Sequence, residues 1–284
     1  MLAIEAPAKI NLTLEVLGKR PDGFHEIRSV VQTIDFCDSL HFSPCDSVQI
    51  QCNLSDWSME QALAAKAVKL FQKTTGYVKG VRVAINKRIP LMSGLGGDSS
   101  DAAAVLRGLN RLWKSELSPE ALREMAQQLG SDVPLFLYGG TALMEGRGER
   151  ITALPSFPHH WVILIIPDVP KLPGKTKKLY GMLKSSHYTG GEITERLAAN
   201  LKSGQGFTDS ELFNTFENVT FTRGAELNSY RNHVLKIGAP NVHLAGSGPT
   251  LFTIMEDKIQ AEDLWKRLKN QGMEAYLTET RGRL

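Results

Sequence analysis

Residues 89–104 read IPLMSGLGGDSSDAAA, and the rest of the chain is organised around this stretch. The preceding residues, 81–86, alternate in the manner of a β-strand. After the stretch, apolar side chains recur at helical spacing, at Val105, Leu106, Leu109, Leu112 and Trp113. We therefore predict a strand, a glycine-rich turn and a helix whose N-cap and first turn come from Ser99, Ser100 and Asp101.

A turn of this composition is suited to binding phosphate. Glycine lets backbone amides approach a ligand closely, and a helix N-terminus adds unpaired amides with about half a positive charge. The stretch is not a Walker motif, because no Gly-Lys-Ser/Thr follows, and Ser99 stands where a dinucleotide fingerprint needs glycine. Residues 174–176 resemble a Walker ending, but Val169 replaces the required first glycine. The alternative is a glycine-rich turn that only caps a helix.

Composition limits the class of protein. The chain has 284 residues, of which 42% are hydrophobic and 22% charged, with a net charge of +3. These values indicate a globular protein of one large or two moderate domains, without the basic surface typical of nucleic-acid binding. No apolar run reaches membrane-spanning length, the N-terminus lacks a signal peptide, and the three cysteines have no metal-binding spacing. We therefore expect a cytoplasmic protein with free thiols and no membrane or nucleic-acid partner.

Three polar residues stand in positions that suggest chemistry. Lys9 lies among apolar neighbours and needs a partner or a ligand, unless it protects an edge strand. Asp132 precedes an apolar run and is expected to be partly desolvated, unless it caps a helix. His25 follows Phe24 in a turn that spans Pro21–Glu26, where a surface position is the simpler interpretation.

Residues 155–158 read PSFP and predict a linker before a buried strand at 161–166. We therefore predict two domains: residues 1–155, with the phosphate loop and the catalytic residues, and residues 156–284. The basic stretch 171–184 contains Tyr180 as its one aromatic residue, which favours a solvated loop over a nucleic-acid site.

Three segments together resemble the three motifs of the GHMP kinases, which phosphorylate small hydroxylated metabolites. They are residues 7–12 (PAKINL), 90–103 and 244–250 (LAGSGPT). Within this superfamily, residues 21–26 (PDGFHE) and 130–134 (GSDVP) are similar to hallmarks of the 4-diphosphocytidyl-2-C-methyl-D-erythritol kinases. The similarity extends from Met1 to about Leu277 with the motif order kept.

This resemblance implies a fold and a reaction. The fold is a two-domain α+β GHMP kinase fold, with an N-terminal α/β domain containing a left-handed βαβ unit and a C-terminal ferredoxin-like domain. The reaction is the transfer of phosphate from ATP, with Mg²⁺, to the 2-hydroxyl of a substrate with a cytidine diphosphate moiety, in the non-mevalonate route to isoprenoid precursors. A monomer or a weak dimer is expected.

The resemblance also assigns roles to residues. Lys9 and Asp132 correspond to the catalytic pair, with Asp132 as general base. The ATP loop comprises Pro90, Leu91, Met92, Ser93, Gly94, Leu95, Gly96, Gly97, Asp98, Ser99 and Ser100. The substrate contacts are Asn11 near the reacting hydroxyl, Phe24 and Tyr180 on the faces of cytosine, and His25 at its edge. The third motif adds Gly246, Ser247 and Gly248 on the phosphate side. Ser99 or Ser100 would also meet the magnesium.

The chain departs from the family pattern at a few positions. Phe24 replaces a tyrosine, which keeps the stacking face, while Met92 and Ser93 replace small residues and Asp98 replaces a glycine of the ATP loop. We expect Asp98 to point to solvent rather than to the metal. The alternatives are a mevalonate- or homoserine-type kinase, opposed by the turn at 22–25, and a relative without catalysis, opposed by Lys9 and Asp132.

Overall fold

The structure is a computed structural model that describes residues 1–55, 57–60, 62–170, 174–205, 207–223 and 225–284. The strands are β1 (Leu2–Asn11), β2 (Thr13–Lys19), β3 (His25–Cys45), β4 (Val48–Cys52), β5 (Gly80–Asn86), β6 (Thr141–Gly146), β7 (Arg150–Ala153), β8 (Trp161–Ile165), β9 (Phe213–Asn214), β10 (His243–Leu244), β11 (Leu251–Met255) and β12 (Ala275–Glu279). The helices are α1 (Leu63–Thr75), α2 (Gly97–Leu112), α3 (Pro119–Leu129), α4 (Leu135–Tyr138), α5 (Lys175–Met182), α6 (Glu192–Ser203), α7 (Glu217–Arg223), α8 (Ala225–Ile237) and α9 (Lys258–Asn270).

The first sheet is built around β3. Strand β3 is long enough to pair with β1, β2, β5 and β6, in every case antiparallel. Strand β4 joins the sheet beside β5 in parallel orientation, with α1 as the connection between them. Lys9 and Asn11 lie at the end of β1, opposite Thr33 and Val31 of β3. Strand β5 lies on the other side of β3, ends opposite Ser39 and leads into the phosphate loop.

Helix α2 packs closely against this sheet. At Gly108, a Cβ atom would lie 2.4 Å from Cζ of Phe42 on β3, so a larger side chain would separate the helix from the sheet. The predicted N-cap was wrong by three residues, because α2 begins at Gly97 after Gly96, which has a left-handed φ of 78°. Glycine adopts this conformation without strain. Ser99, Ser100 and Asp101 therefore lie inside the first turns of the helix.

The second sheet comes entirely from residues after the predicted boundary. Its strand order is β10-β11-β8-β12, and every neighbouring pair is antiparallel. Strand β9, which is also beyond the boundary, pairs instead with β2 of the first sheet. Residues from both parts of the chain share one hydrophobic cluster, which includes Ile10, Phe36, Leu164 and Phe252. Among the described residues, no helix combines the length and the hydropathy needed to cross a bilayer.

Candidate active site

The phosphate loop and the third motif are in direct contact. At Gly94, which has a φ of 88°, a Cβ atom would lie 2.1 Å from the carbonyl oxygen of Ala245. The backbone N–H of Thr250 donates a hydrogen bond of 3.2 Å to the carbonyl of Ser93. Only glycine fits at residue 94, because any side chain would separate the two motifs. The resemblance assigned the loop to ATP and the third motif to the phosphate side, and the fold brings the two motifs together.

Lys9 connects the loop to the first sheet. Its backbone N–H donates to the carbonyl of Leu95 over 2.9 Å. At Gly96, a Cβ atom would lie 2.8 Å from Cζ of Phe136 and 3.2 Å from Cγ of Lys9. The glycine therefore permits both the helix start and the close packing of the loop on Lys9.

The Lys9 side chain is buried and lies between an amide and a carboxylate. Its Nζ donates to Oδ1 of Asn11 over 2.7 Å and lies 4.0 Å from Oδ2 of Asp132. The amide of Asn11 is fixed in turn by donating to Oγ of Ser29 over 2.8 Å. Burial lowers the pKa of Lys9, and the charge of Asp132 opposes this shift only in part. The Asp132 side chain is 37% exposed and so remains accessible to a ligand.

Two of the residues assigned to the cytosine, His25 and Tyr180, lie together, and Tyr180 is close enough to Asp132 to be affected by its charge. The rings of His25 and Tyr180 are stacked, with centroids 4.7 Å apart, and Tyr188 approaches His25 at 6.1 Å. Burial, with a contribution from Asp132, raises the pKa of Tyr180 to about 12. Burial also lowers the pKa of His25, which favours the neutral ring near pH 7. The ring of Phe24 is 54% exposed, with the guanidinium of Arg147 at 4.8 Å from its centroid.

A second buried lysine lies on the other side of the loop, and the sequence analysis missed it. Nζ of Lys87 lies 2.7 Å from both Asp38 and Asp101. Burial alone would lower the pKa of Lys87, but the two carboxylates raise it above its ordinary value. Asp38 also accepts hydrogen bonds of 2.6 and 2.7 Å from the N–H groups of Arg88 and Ile89. The cluster thus fixes both the entry to the phosphate loop and the first turns of α2.

A cavity of about 120 Å³ opens between the loop and this cluster. It is lined by Lys87, Pro90, Leu91, Met92, Ser93, Gly94, Gly96, Gly97, Asp98 and Ser99. The Asp98 side chain is 54% exposed, but it lines this cavity, and its Oδ1 lies 3.5 Å from Nζ of Lys87. The Oγ of Ser100 is buried without a hydrogen-bond partner. Among the described residues, no group of three or more His, Cys, Asp or Glu side chains could hold a metal ion.

The third motif is held from two sides. The Asn214 side chain donates to the carbonyls of Leu244 and Gly246, each over 2.8 Å. The hydroxyls of Ser247 and Thr176 share a hydrogen bond of 2.8 Å, which connects this motif to α5 and hence to Tyr180. At Gly246, a Cβ atom would lie 3.1 Å from Nζ of Lys9. The predicted catalytic, ATP-loop and third-motif residues therefore surround one cleft.

The sequence offered unequal signals for the missed residues. Lys87 lies shortly before the loop, and Asp101 lies at the start of the helix that follows it. The local sequence therefore contained a signal for both residues. Asp38 is about 50 positions away from Lys87, and only the pairing of β3 with β5 brings it near. Of the basic stretch 171–184, residues 171–173 lie outside the described residues.

Comparison with known proteins gives the class and then the family. Residues 62–140 match the GHMP kinases N terminal domain, so the chain is a small-molecule kinase of the GHMP type. A 4-diphosphocytidyl-2-C-methyl-D-erythritol kinase of Dehalococcoides mccartyi is 48% identical over the full length of both chains, and one of Enterococcus faecalis is 38% identical over 97% of each. A crystal structure of 4-(cytidine 5'-diphospho)-2C-methyl-D-erythritol kinase superposes with a TM-score of 0.84 at 30% identity, covering 99% of this chain and 100% of that one. The chain belongs to the 4-diphosphocytidyl-2-C-methyl-D-erythritol kinase family.

Proposed function

We propose that this protein transfers the γ-phosphoryl group of ATP to the 2-hydroxyl of 4-diphosphocytidyl-2-C-methyl-D-erythritol, giving the 2-phosphate and ADP. The observation that carries this proposal is the position of Lys9. Its ammonium lies 4.0 Å from Asp132 and beside Gly246, directly next to the loop that would hold the triphosphate. A carboxylate, a cation and a phosphate loop are the elements that phosphoryl transfer to an alcohol requires.

Asp132 is the general base in this mechanism. Its carboxylate takes the proton of the attacking hydroxyl, an effect worth about 10²- to 10⁴-fold in rate. Lys9 assists Asp132 and stabilises the charge that develops on the phosphoryl oxygens. Asn11 holds the Lys9 ammonium in place through the 2.7 Å hydrogen bond and lies where it can contact the substrate.

The backbone of the loop is suited to binding the phosphates of a nucleoside triphosphate. Gly94 and Gly96 turn the backbone without side chains in the cleft, and α2 begins directly after them. Ser99 and the unpartnered Oγ of Ser100 are the hydroxyls that would meet Mg²⁺. The metal, when bound with ATP, neutralises part of the phosphate charge.

The aromatic cluster supports a cytidine-bearing substrate. Phe24 presents an exposed face for stacking, and His25 offers a neutral ring whose nitrogens can bond to the edge of the base. Tyr180 lies close enough to Asp132 to feel its charge, which links the base site to the catalytic carboxylate. The substrate would extend from Phe24 to Asp132.

The finer architecture is part of the same proposal. We infer two domains, residues 1–155 and 156–284, with the substrate in the cleft between them. The order β10-β11-β8-β12, which is 4-1-3-2 when read from β12, supports a ferredoxin-like C-terminal domain. The parallel pair β4 and β5 around α1 is the candidate for the left-handed βαβ unit. A monomer or weak dimer remains our expectation.

A coupled assay of ADP release tests the function directly. The purified chain with Mg²⁺ and ATP should turn over the cytidine-diphosphate methylerythritol substrate and give the 2-phosphate. Mevalonate and homoserine serve as competing substrates in parallel reactions. Faster turnover of either of these would contradict the proposal and favour another GHMP kinase activity.

A further inference from the structure

Asp98 faces the same lysine that two buried carboxylates already neutralise. Lys87 has a side chain that is 1% exposed, and its Nζ contacts Asp38 and Asp101 at 2.7 Å each. On the side of the cavity, Asp98 adds a third carboxylate at 3.5 Å. Three carboxylates therefore surround one ammonium, and the most exposed of them borders the space where phosphate would bind.

This arrangement is the opposite of what an uncomplexed polyphosphate needs. Asp98 and Lys87 both line the cavity together with Gly96, Gly97 and Ser99. The positive charge of Lys87 is already matched from inside the protein, so Asp98 leaves this wall with an excess of negative charge. Like charges a few ångströms apart near a protein surface repel appreciably. A nucleotide whose phosphates carry a divalent cation meets a weaker repulsion than the free nucleotide.

The position of Asp98 at the start of α2 also stabilises its carboxylate. The residue lies in the first turn of α2, where a carboxylate is stabilised by the unpaired amides of the helix start. Those amides are also donors that a phosphate would use. Asp98 therefore places a like charge beside the amides that a phosphate would use.

We propose that Asp98 makes the phosphate loop select metal-complexed nucleotide over free nucleotide, by repelling the uncomplexed polyanion. The proposal rests on the proposed function only in taking residues 90–100 as the nucleotide site. It assigns Asp98 a role in discrimination between two forms of the nucleotide and none in the chemical step.

Calorimetric binding of ADP tests this without substrate or turnover. Wild-type protein and Asp98→Asn are titrated with ADP in excess Mg²⁺ and, separately, in EDTA. Asp98→Asn should bind free ADP about 3- to 10-fold more tightly than the wild type, while the affinity for Mg²⁺-ADP changes by less than about twofold. At about 1 M salt, where charges are screened within ~3 Å, the gain for free ADP should disappear.

Glu120→Gln is the matched control, because it removes a charge from the exposed first turn of another helix, α3. It should leave both affinities as in the wild type, and thermal unfolding verifies that each variant is folded. Weaker binding of Mg²⁺-ADP alone in Asp98→Asn would make Asp98 a metal ligand and overturn the proposal. Equal gains for both forms, or no change, would overturn it as well. If the wild type bound no Mg²⁺-ADP, the nucleotide assignment itself would fail, which is a different result from an unchanged ratio.

Discussion

Two buried lysines flank the phosphate loop, and their surroundings differ in one decisive respect. Lys9 faces a neutral amide at 2.7 Å and a single, partly exposed carboxylate at 4.0 Å. Lys87 faces two buried carboxylates at 2.7 Å each. Burial acts on both, yet the pKa of Lys9 is lowered and that of Lys87 is raised.

The difference supports the catalytic role proposed for Lys9 and a structural role for Lys87. An ammonium whose charge is fully paired inside the protein has little left to offer a ligand, whereas an under-compensated ammonium gains stability when an anion arrives. We therefore propose Lys9, rather than Lys87, as the cation that meets a transferring phosphoryl group. Lys87 instead connects β3 to α2 at the entry of the loop, because its buried partner Asp38 lies on β3 and its buried partner Asp101 lies on α2.

The largest expected effect is on turnover. Lys9→Met and Asp132→Asn should each lower kcat by about 10²- to 10⁴-fold. The double variant should be little worse than either single one, because residues that act as a unit are not additive. The melting temperature of Lys9→Met should not fall, since the substitution removes a desolvated charge. Steady-state kinetics and thermal unfolding measure both quantities.

Lys69→Met, an exposed position on α1, is the control for the loss of a lysine. It should leave kcat and the melting temperature unchanged. Two results would show that Lys9 and Asp132 do not form one catalytic unit. Either Lys9→Met retains the wild-type kcat, or the fold-loss of kcat in the double variant equals the product of the fold-losses in the two single variants.

The second effect is on folding stability. Lys87→Met leaves Asp38 buried without its counter-charge, and breaking such a pair costs about 3–5 kcal/mol of unfolding free energy. Denaturant unfolding measures this loss, and Lys69→Met should stay within about 0.5 kcal/mol of the wild type. A loss under 1 kcal/mol for Lys87→Met would erase the contrast between the two lysines.

A third set of variants tests whether Phe24 stacks on the cytosine of the substrate. Phe24→Ala should weaken binding of the cytidine substrate by about 1–3 kcal/mol, because a stacking face is lost. Phe24→Tyr keeps the face and should match the wild type. The KM for ATP should not change in either variant, since Phe24 is assigned to the cytosine of the substrate and not to the ATP loop. An unchanged affinity for the cytidine substrate in Phe24→Ala would remove Phe24 from the site.

The contrast also marks the limits of what the sequence could predict. Lys9 was singled out because it interrupts an apolar segment, Asp132 because it precedes one, and the loop because its glycines precede a helical pattern. The family similarity, now confirmed, supplied the expectation that these segments meet. The Lys87 cluster depends on the pairing of β3 with β5, which no local pattern specifies.

Local rules also failed at the helix start. Ser99, Ser100 and Asp101 are good capping residues, so propensity placed the cap there. In the structure, Gly96 takes the left-handed conformation and starts the helix earlier, while Asp101 turns to Lys87. The ion pair with Lys87 determined the role of Asp101. The left-handed conformation of Gly96 determined where the helix begins.

The smallest effect is the pH dependence that the Lys87 cluster imposes on stability. Burial, with the nearby charges of Asp38 and Asp98, raises the pKa of Asp101 to about 7, although Lys87 opposes the shift. The unfolded chain has the ordinary value of 3.8, so between about pH 4 and 7 the folded state binds more protons than the unfolded state. Stability therefore falls as the pH rises through this window.

Asp101→Asn mimics the protonated side chain and should remove this part of the pH dependence. At pH 5 the variant should match the wild type, whereas at pH 8 it should have the higher melting temperature, because the wild type has by then lost the stability that protonated Asp101 supplies. Asp46→Asn, an exposed change of the same kind, should show no difference between the two pH values. A variant that is less stable than the wild type at pH 8 would mean that Lys87 holds Asp101 ionised, and that both of its buried partners carry charge at neutral pH.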